Sequence, residues 1–239
     1  MEFSPSILAS NNFLELDHIC IYLPNGLQGA LILQEFGFYS IPHVIRRVEQ
    51  GTMSRIILFE NAYLELISID NEDTAQQHAV QTGVDILKRA HWEQTGVSPF
   101  GISLRRCQPI NLKSGCDGKC NEWIPSETFV NFATENLLRL AEPFCFIIPD
   151  FLALTNWLDL SSPEHQALVS HSLGIKTLTR IKIVMNDCQE LSNAISLISS
   201  STQIAIEKGS FPLLELTFDH MAMGRTLDIQ PALPIIIHY

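Results

Sequence analysis

Two stretches of this chain follow one plan, and that plan limits the folds open to it. Leu16-Asp17-His18-Ile19-Cys20-Ile21-Tyr22-Leu23 aligns with Leu178-Thr179-Arg180-Ile181-Lys182-Ile183-Val184-Met185. Each is a strand-like apolar run that leads into a cap and a helix. Each copy then closes on a Leu-Glu-Leu strand, Tyr63-Leu64-Glu65-Leu66 in the first and Leu213-Leu214-Glu215-Leu216 in the second. The later copy is shorter by roughly one strand and its turn. Internal duplication is the economical explanation, with chance similarity as the alternative.

Local signals fill in the plan. Phe13 to Leu23 reads as a strand ending at Pro24-Asn25. Asn25 is a good N-cap with Gln28 three residues on, and Gly37 is a natural stop. Strands are expected at Val44 to Val48, Arg55 to Phe59 and Ala62 to Ile69, with Gly51 and Asn61 as turns. The order is β-α-β-β-β. In the second copy Asp187 and Glu190 make a capping box, and Leu191, Ala194, Ile195 and Ile198 form a helical stripe. Between the copies the pattern predicts a helix over Ala79 to Trp92 and a strand over Gly101 to Arg106. Ser126 would cap a helix carrying Phe129, Phe132, Ala133, Leu137 and Leu140, and a second strand would cover Pro143 to Ile148. Ser161 to Gly174 reads as a connection. Pro231 to Tyr239, with two prolines ahead of three isoleucines, suits an edge strand. The expected division is a leader (1–12), a first βαβββ module (13–72), a helix-rich middle with two strands (73–174), a shortened second module (175–220) and a C-terminal strand or tail (221–239). The fold class is α+β.

Composition narrows the partners. Of 239 residues 46% are hydrophobic and 17% charged, too apolar for a disordered chain. The formal net charge of −11 repels phosphate backbones and anionic lipid heads, so neither nucleic acid nor membrane is an expected partner. No apolar run approaches the ~20 residues that span a bilayer. Met1 to Asn12 lacks the basic-then-apolar order of a secretion signal, so a cytoplasmic location is the expectation.

Two polar residues stand out. His18 and Glu65 each sit mid-strand in apolar company. A buried carboxylate costs several kcal/mol unless paired or coordinated. A divalent cation held by imidazole nitrogen and carboxylate oxygen would supply the partner. The plainer alternative is a half-exposed strand with Glu65 in solvent and His18 hydrogen-bonded in the core. Six cysteines in a chain this long make no disulfide framework. Cys20, Cys145 and Cys188 lie in or beside apolar runs, where a thiol behaves as a small hydrophobe. Cys116 and Cys120 are close together, but no second ligand pair follows them unless His91 or Cys107 folds back. His43, His78, His91 and His238 have no acidic or cysteine neighbour at ligand spacing. Arg105 and Arg106 point to opposite faces of a strand, so at most one can meet a ligand.

Leu16-Asp17-His18-Ile19 opening a strand, Gly51-Thr52 followed by Ser54-Arg55-Ile56-Ile57-Leu58-Phe59, and Tyr63-Leu64-Glu65-Leu66-Ile67 closing the unit resemble the glyoxalase-like branch of the vicinal oxygen chelate superfamily. Glu142 to Ile147 and the stretch from Pro163-Glu164-His165 through His171 to Gly174 are similar to it as well. The likeness spans most of residues 13–220 and is strongest in 13–70. It implies paired βαβββ modules whose curved mixed sheets form a cup. A metal at the cup floor would be held by a His of a first strand and a Glu of a last one, here His18 and Glu65. The equivalents in the second copy are Arg180 and Glu215. Arg180 departs from the pattern, because a guanidinium has no lone pair to give a metal.

The resemblance therefore implies a metal-dependent lyase, isomerase or dioxygenase acting on a small oxygen-rich metabolite, with Fe, Mn, Zn or Ni as cofactor. His18 and Glu65 would be ligands and Glu215 a base or fourth ligand. Arg180 would anchor a carboxylate or oxyanion, its alternative being an ion pair with Glu215. Thr52 and Arg55 would line the cavity. The competing expectation is a small-molecule binding or sequestering protein using the same cup without chemistry. Modules can pair within one chain or between two, so a homodimer stays open.

Overall fold

A computed structural model describes residues 14–106, 130–186, 190–201 and 203–239. Among the described residues its first sheet has seven strands and its second has five. Both sheets are mixed.

The first module follows its sequence closely. Strand β1 (Leu14–Leu23) runs into helix α1 (Gly26–Glu35), where the Asn25 side chain accepts from Gln28 N at 3.0 Å. Strands β2 (Ile45–Arg47), β3 (Thr52–Leu58) and β4 (Tyr63–Ile69) complete it, with Gly51 in the left-handed region at φ 65°. β4 returns parallel to β1, and β3 pairs antiparallel to β4.

The middle segment is less regular than its periodicity predicts. Instead of one helix over 79–92 there are three short ones: α2 (Glu72–Thr82), α3 (Ile86–Ala90) and α4 (Trp92–Thr95). Gly83, at φ 78°, ends the first. Strand β5 (Phe100–Arg106) pairs antiparallel with β1, and β7 (Phe144–Ile147) lies parallel to β5. A third strand, β6 (Asn131–Phe132), occupies part of the helix expected from Ser126 onward; among the described residues there, only α5 (Thr134–Leu138) is helical. Ser126, Cys107, Cys116, Cys120, Cys188 and the Asp187 cap lie outside the described residues. The polar stretch read as a connection holds a short helix, α6 (Pro163–Leu168), started by proline at its first position.

The order β3-β4-β1-β5-β7-β6 repeats about the β1·β5 seam: on each side a parallel strand and then an antiparallel one. The partner of the first module in this sheet is thus the middle segment. The expected second module builds the other sheet. Strand β8 (Leu178–Asn186), helix α7 (Asn193–Ser201), β9 (Ile204–Gly209) and β10 (Leu213–Phe218) keep the expected order. Their pairing differs, however: β10 runs antiparallel to β8, whereas β4 is parallel to β1. Strand β12 (Ile235–His238) is not at an edge, since β11 (Thr226–Asp228) covers it. Both prolines precede β12, so its N–H groups are free to pair on each side.

The main core lies between the sheets. Ile19, Ile21 and Leu66 of the first sheet and Leu33 of α1 pack with Ile181, Ile183, Leu214 and Leu216 of the second. Alternation along each strand sends the neighbouring residues to the opposite face. That face carries His18, Cys20 and Tyr22 of β1 and Tyr63, Glu65 and Ile67 of β4. Two smaller apolar clusters cover it: Val84 and Ile86 over Tyr22 and Phe144, and Leu154 and Val169 over Ile56 and Leu58.

Candidate metal centre

The register of β1 against β4 builds the site. His18 faces Tyr63 and Cys20 faces Glu65 across the parallel pair. The His18 ring stacks on Tyr63 at 4.1 Å between centroids and meets the Phe146 edge at 5.8 Å. His18 Nε2 stands 3.4 Å from Glu65 Oε2, and both side chains are almost fully buried. The contact falls short of a hydrogen bond, leaving Nε2 a buried ring nitrogen without a partner. His18, Cys20 and Glu65 each offer a donor atom, all within 4.8 Å of one another.

Two neighbours prepare these donors. Asp17 Oδ1 accepts from His18 Nδ1 at 2.8 Å, which holds the proton on Nδ1 and turns Nε2 inward. Adjacent strand residues normally face opposite ways, but a bulge between Leu16 and His18 interrupts the β1·β5 register at this point. Asp17 Oδ2 in turn accepts from Leu154 N at 2.8 Å and lies 3.7 Å from Arg105 Nη1. On the other flank Arg47 Nη2 donates to Glu65 Oε1 at 2.6 Å while its Nη1 reaches Ser54 Oγ at 3.1 Å. One carboxylate oxygen is thereby neutralised and the other is left facing His18.

Charge state follows from this packing. Burial alone would raise the Glu65 carboxyl; the His18 imidazole beside it and the Arg47 guanidinium hold it well below the usual carboxylate range. Burial would lower the His18 imidazole, but Cys20, Asp17 and Glu65 raise it well above its ordinary value. The donor set suits a divalent metal: imidazole nitrogen and carboxylate oxygen at bond lengths of roughly 2.0–2.2 Å stand about 3.3–3.5 Å apart in tetrahedral geometry.

A family model for the glyoxalase-like domain matches residues 16–197. The chain belongs to the glyoxalase-like domain family. A crystal structure of a hypothetical protein from Staphylococcus aureus superposes on this glyoxalase-like chain with a TM-score of 0.53 at 13% identity. That match covers 94% of this chain and 98% of the other, and it speaks for the fold. A selenomethionine methylmalonyl-CoA epimerase aligns over 39% of this chain and 62% of its own, with 18% identity and a TM-score of 0.28. No curated protein matches. The fold is α+β with two mixed sheets, as expected for a glyoxalase-like member of the vicinal oxygen chelate superfamily.

The structure brings together only part of the anticipated site. His18 and Glu65 converge. Arg180 and Glu215 do not join them, because the second sheet packs on the opposite face of the first. Glu215 is held there by Lys182 at 2.5 Å and His238 at 3.3 Å, so the anticipated Arg180–Glu215 pair does not form either. Arg180 instead borders a surface cavity with Thr179, Gln203 and His220. Arg55 falls one step out of phase with Ser54 and Ile56, and its Nη1 donates to the Pro42 carbonyl at 2.9 Å. Thr52 lies on the Glu65 face at the far end of β3, buried, with Oγ1 3.4 Å from Gln50 Oε1.

Residues missed in the sequence supply the surroundings. Asp17 is visible only as an Asp-His doublet, whose shared face depends on the bulge. A cation for Glu65 was demanded by burial, yet the choice of Arg47 over Arg46 rests on register; Arg46 turns outward to Asp70 at 2.6 Å. Cys20 was read as core filler.

Proposed function

We propose that this glyoxalase-like chain is a metal-dependent enzyme, a lyase, isomerase or dioxygenase acting on a small oxygen-rich metabolite, with His18 and Glu65 as ligands of a divalent cation. One observation carries the reading: a buried imidazole Nε2 without a hydrogen-bond partner, 3.4 Å from a carboxylate oxygen. A native interior rarely leaves such an atom orphaned, since the desolvation penalty is about 1–3 kcal/mol. A cation held by His18 and Glu65 would supply Lewis acidity toward oxygen atoms of the substrate. Asp17 fixes the His18 tautomer, Arg47 neutralises the outer oxygen of Glu65, and Tyr63 and Phe146 wall the site against water. Fe, Mn, Zn and Ni all accept this nitrogen–oxygen pair.

A second reading, small-molecule sequestration, draws on a different feature. An apolar cavity of about 270 Å³ opens between β5, β7 and α7, lined by Leu104, Phe132, Cys145, Ile147 and Leu197. It lacks the donor set of the His18 site, and it suits an apolar guest better than chemistry.

Elemental analysis after purification and after reloading with each cation separates the two. Near-stoichiometric metal that is lost in His18→Ala supports the enzyme. A wild-type chain that holds no cation under any loading condition, yet binds apolar ligands, overturns it.

A further inference from the structure

We propose that Cys20 is a third protein ligand of this centre, so that the cation it takes is a thiolate-accepting one of the zinc or cobalt class and not magnesium or calcium. This rests on the metal reading of His18 and Glu65. Cys20, two residues from His18, shares its face of β1 and is the direct cross-strand partner of Glu65. Its Sγ lies 3.7 Å from Glu65 Oε2, the same oxygen that His18 Nε2 approaches. Sulfur and oxygen bound to one tetrahedral zinc, at roughly 2.3 and 2.0–2.2 Å, stand about 3.5–3.7 Å apart.

The surroundings of the thiol differ from those of a filler cysteine. On its other flank Cys20 faces Gly101 of β5, where a Cβ would come 3.0 Å from Cys20 Cβ and 3.1 Å from the Tyr22 hydroxyl, so the strand packs close against the cysteine only because this residue has no side chain. Cys145 provides the contrast. It sits on the opposite face within the main apolar core, its Sγ 3.6 Å from the Pro143 carbonyl and near no imidazole of the described residues. Charge is balanced as well. Arg47 offsets Glu65, so a divalent cation would meet one thiolate, one neutral imidazole and one already-paired carboxylate. On binding, the thiol releases its proton to solvent as the sulfur–metal bond forms. Hard cations want six or more oxygen donors, and this triangle of nitrogen, sulfur and oxygen does not provide them.

The test uses the full chain, stripped by chelator and reloaded with Co²⁺. A sulfur-to-cobalt charge-transfer band in the near ultraviolet is expected. It should vanish in Cys20→Ser while the visible ligand-field absorption of bound cobalt persists, and it should survive Cys145→Ser. Zinc affinity of Cys20→Ser should fall about 100-fold, at least the loss typical of a supporting residue, and excess Mg²⁺ should not displace Zn²⁺ from the wild type. Cobalt bound through His18 without a sulfur band, or with a band that survives Cys20→Ser, overturns the ligand role of Cys20 and leaves the metal reading standing. No cobalt bound by the wild type overturns both. Should Cys20→Ser fail to fold, zinc-edge X-ray absorption on the wild type decides: one sulfur scatterer at about 2.3 Å supports the assignment and none refutes it.

Discussion

Asp17 hydrogen-bonds the imidazole of its own chain neighbour, His18, at 2.8 Å within a β-strand. Only the bulge that shifts β1 against β5 at this point allows it. The same carboxylate receives Leu154 N, which ties the segment after β7 to the site wall. A strand irregularity thus aims Nε2 at Glu65.

Asp17→Asn keeps the shape and removes the charge. An amide cannot accept with both ends, so either His18 or Leu154 loses its partner. Cation affinity should fall about 10–100-fold, the usual cost of losing a carboxylate behind a metal-bound histidine. Competition against a chelator of known affinity measures it; unchanged affinity would remove Asp17 from the positioning role.

Arg47→Met leaves Glu65 without its cationic partner. Breaking a buried ion pair costs about 3–5 kcal/mol, but the Arg47 side chain is 32% exposed and partly screened, so a loss of about 1–3 kcal/mol is expected without added metal. Urea unfolding with and without Zn²⁺ gives the second half of the prediction. A bound cation replaces the missing charge, so zinc should stabilise the folded chain and recover part of the deficit.

Acid should act through Glu65. Its folded carboxyl is held below the unfolded value of about 4.3, so its contribution is complete above that pH and disappears as pH falls through the folded value. Urea midpoints of the metal-free wild type should decline over this acid range. Glu65→Gln, already less stable at neutral pH, should decline less steeply. Parallel slopes would show that other carboxylates dominate.

His171 is expected to serve the fold alone. Its Nδ1 accepts from Tyr39 N at 2.9 Å and its Nε2 donates to the Leu58 carbonyl at 2.8 Å, which fixes a neutral ring. Burial lowers its pKa, so protonation opposes folding and this contribution is lost as pH falls below about 6.5, the unfolded value. His171→Phe should cost about 1–3 kcal/mol by leaving two backbone groups unpaired, with cation binding unchanged. Urea unfolding and a zinc titration of the same variant check both halves.

Much of the first module was legible because strand alternation and helix caps act over a few residues. Asn25 caps α1 as expected, and the apolar runs around His18 and Glu65 are strands. The conflict of an ionisable carboxylate in an apolar strand is equally local, and it singled out Glu65. The failures came from pairing. The Leu-Glu-Leu strands of the two copies look alike, yet β4 joins its first strand parallel and β10 joins antiparallel. Nothing within either run encodes that choice. Arg55 was placed at the site although alternation carries it away from Ser54.

By itself, then, the chain determined where the strands and helix of its first module lie and which two polar residues had to find partners. Short-range sterics and the cost of burying charge operate wherever the chain goes. Tertiary structure alone decided who those partners are. It set Cys20 opposite Glu65, brought Arg47 round from a hairpin and bulged β1 so that Asp17 stands behind His18. It also sent Arg180 and Glu215 to another sheet. Register and sheet order arise from contacts between segments far apart in sequence, and a shift of one residue turns every side chain of a strand to the other face.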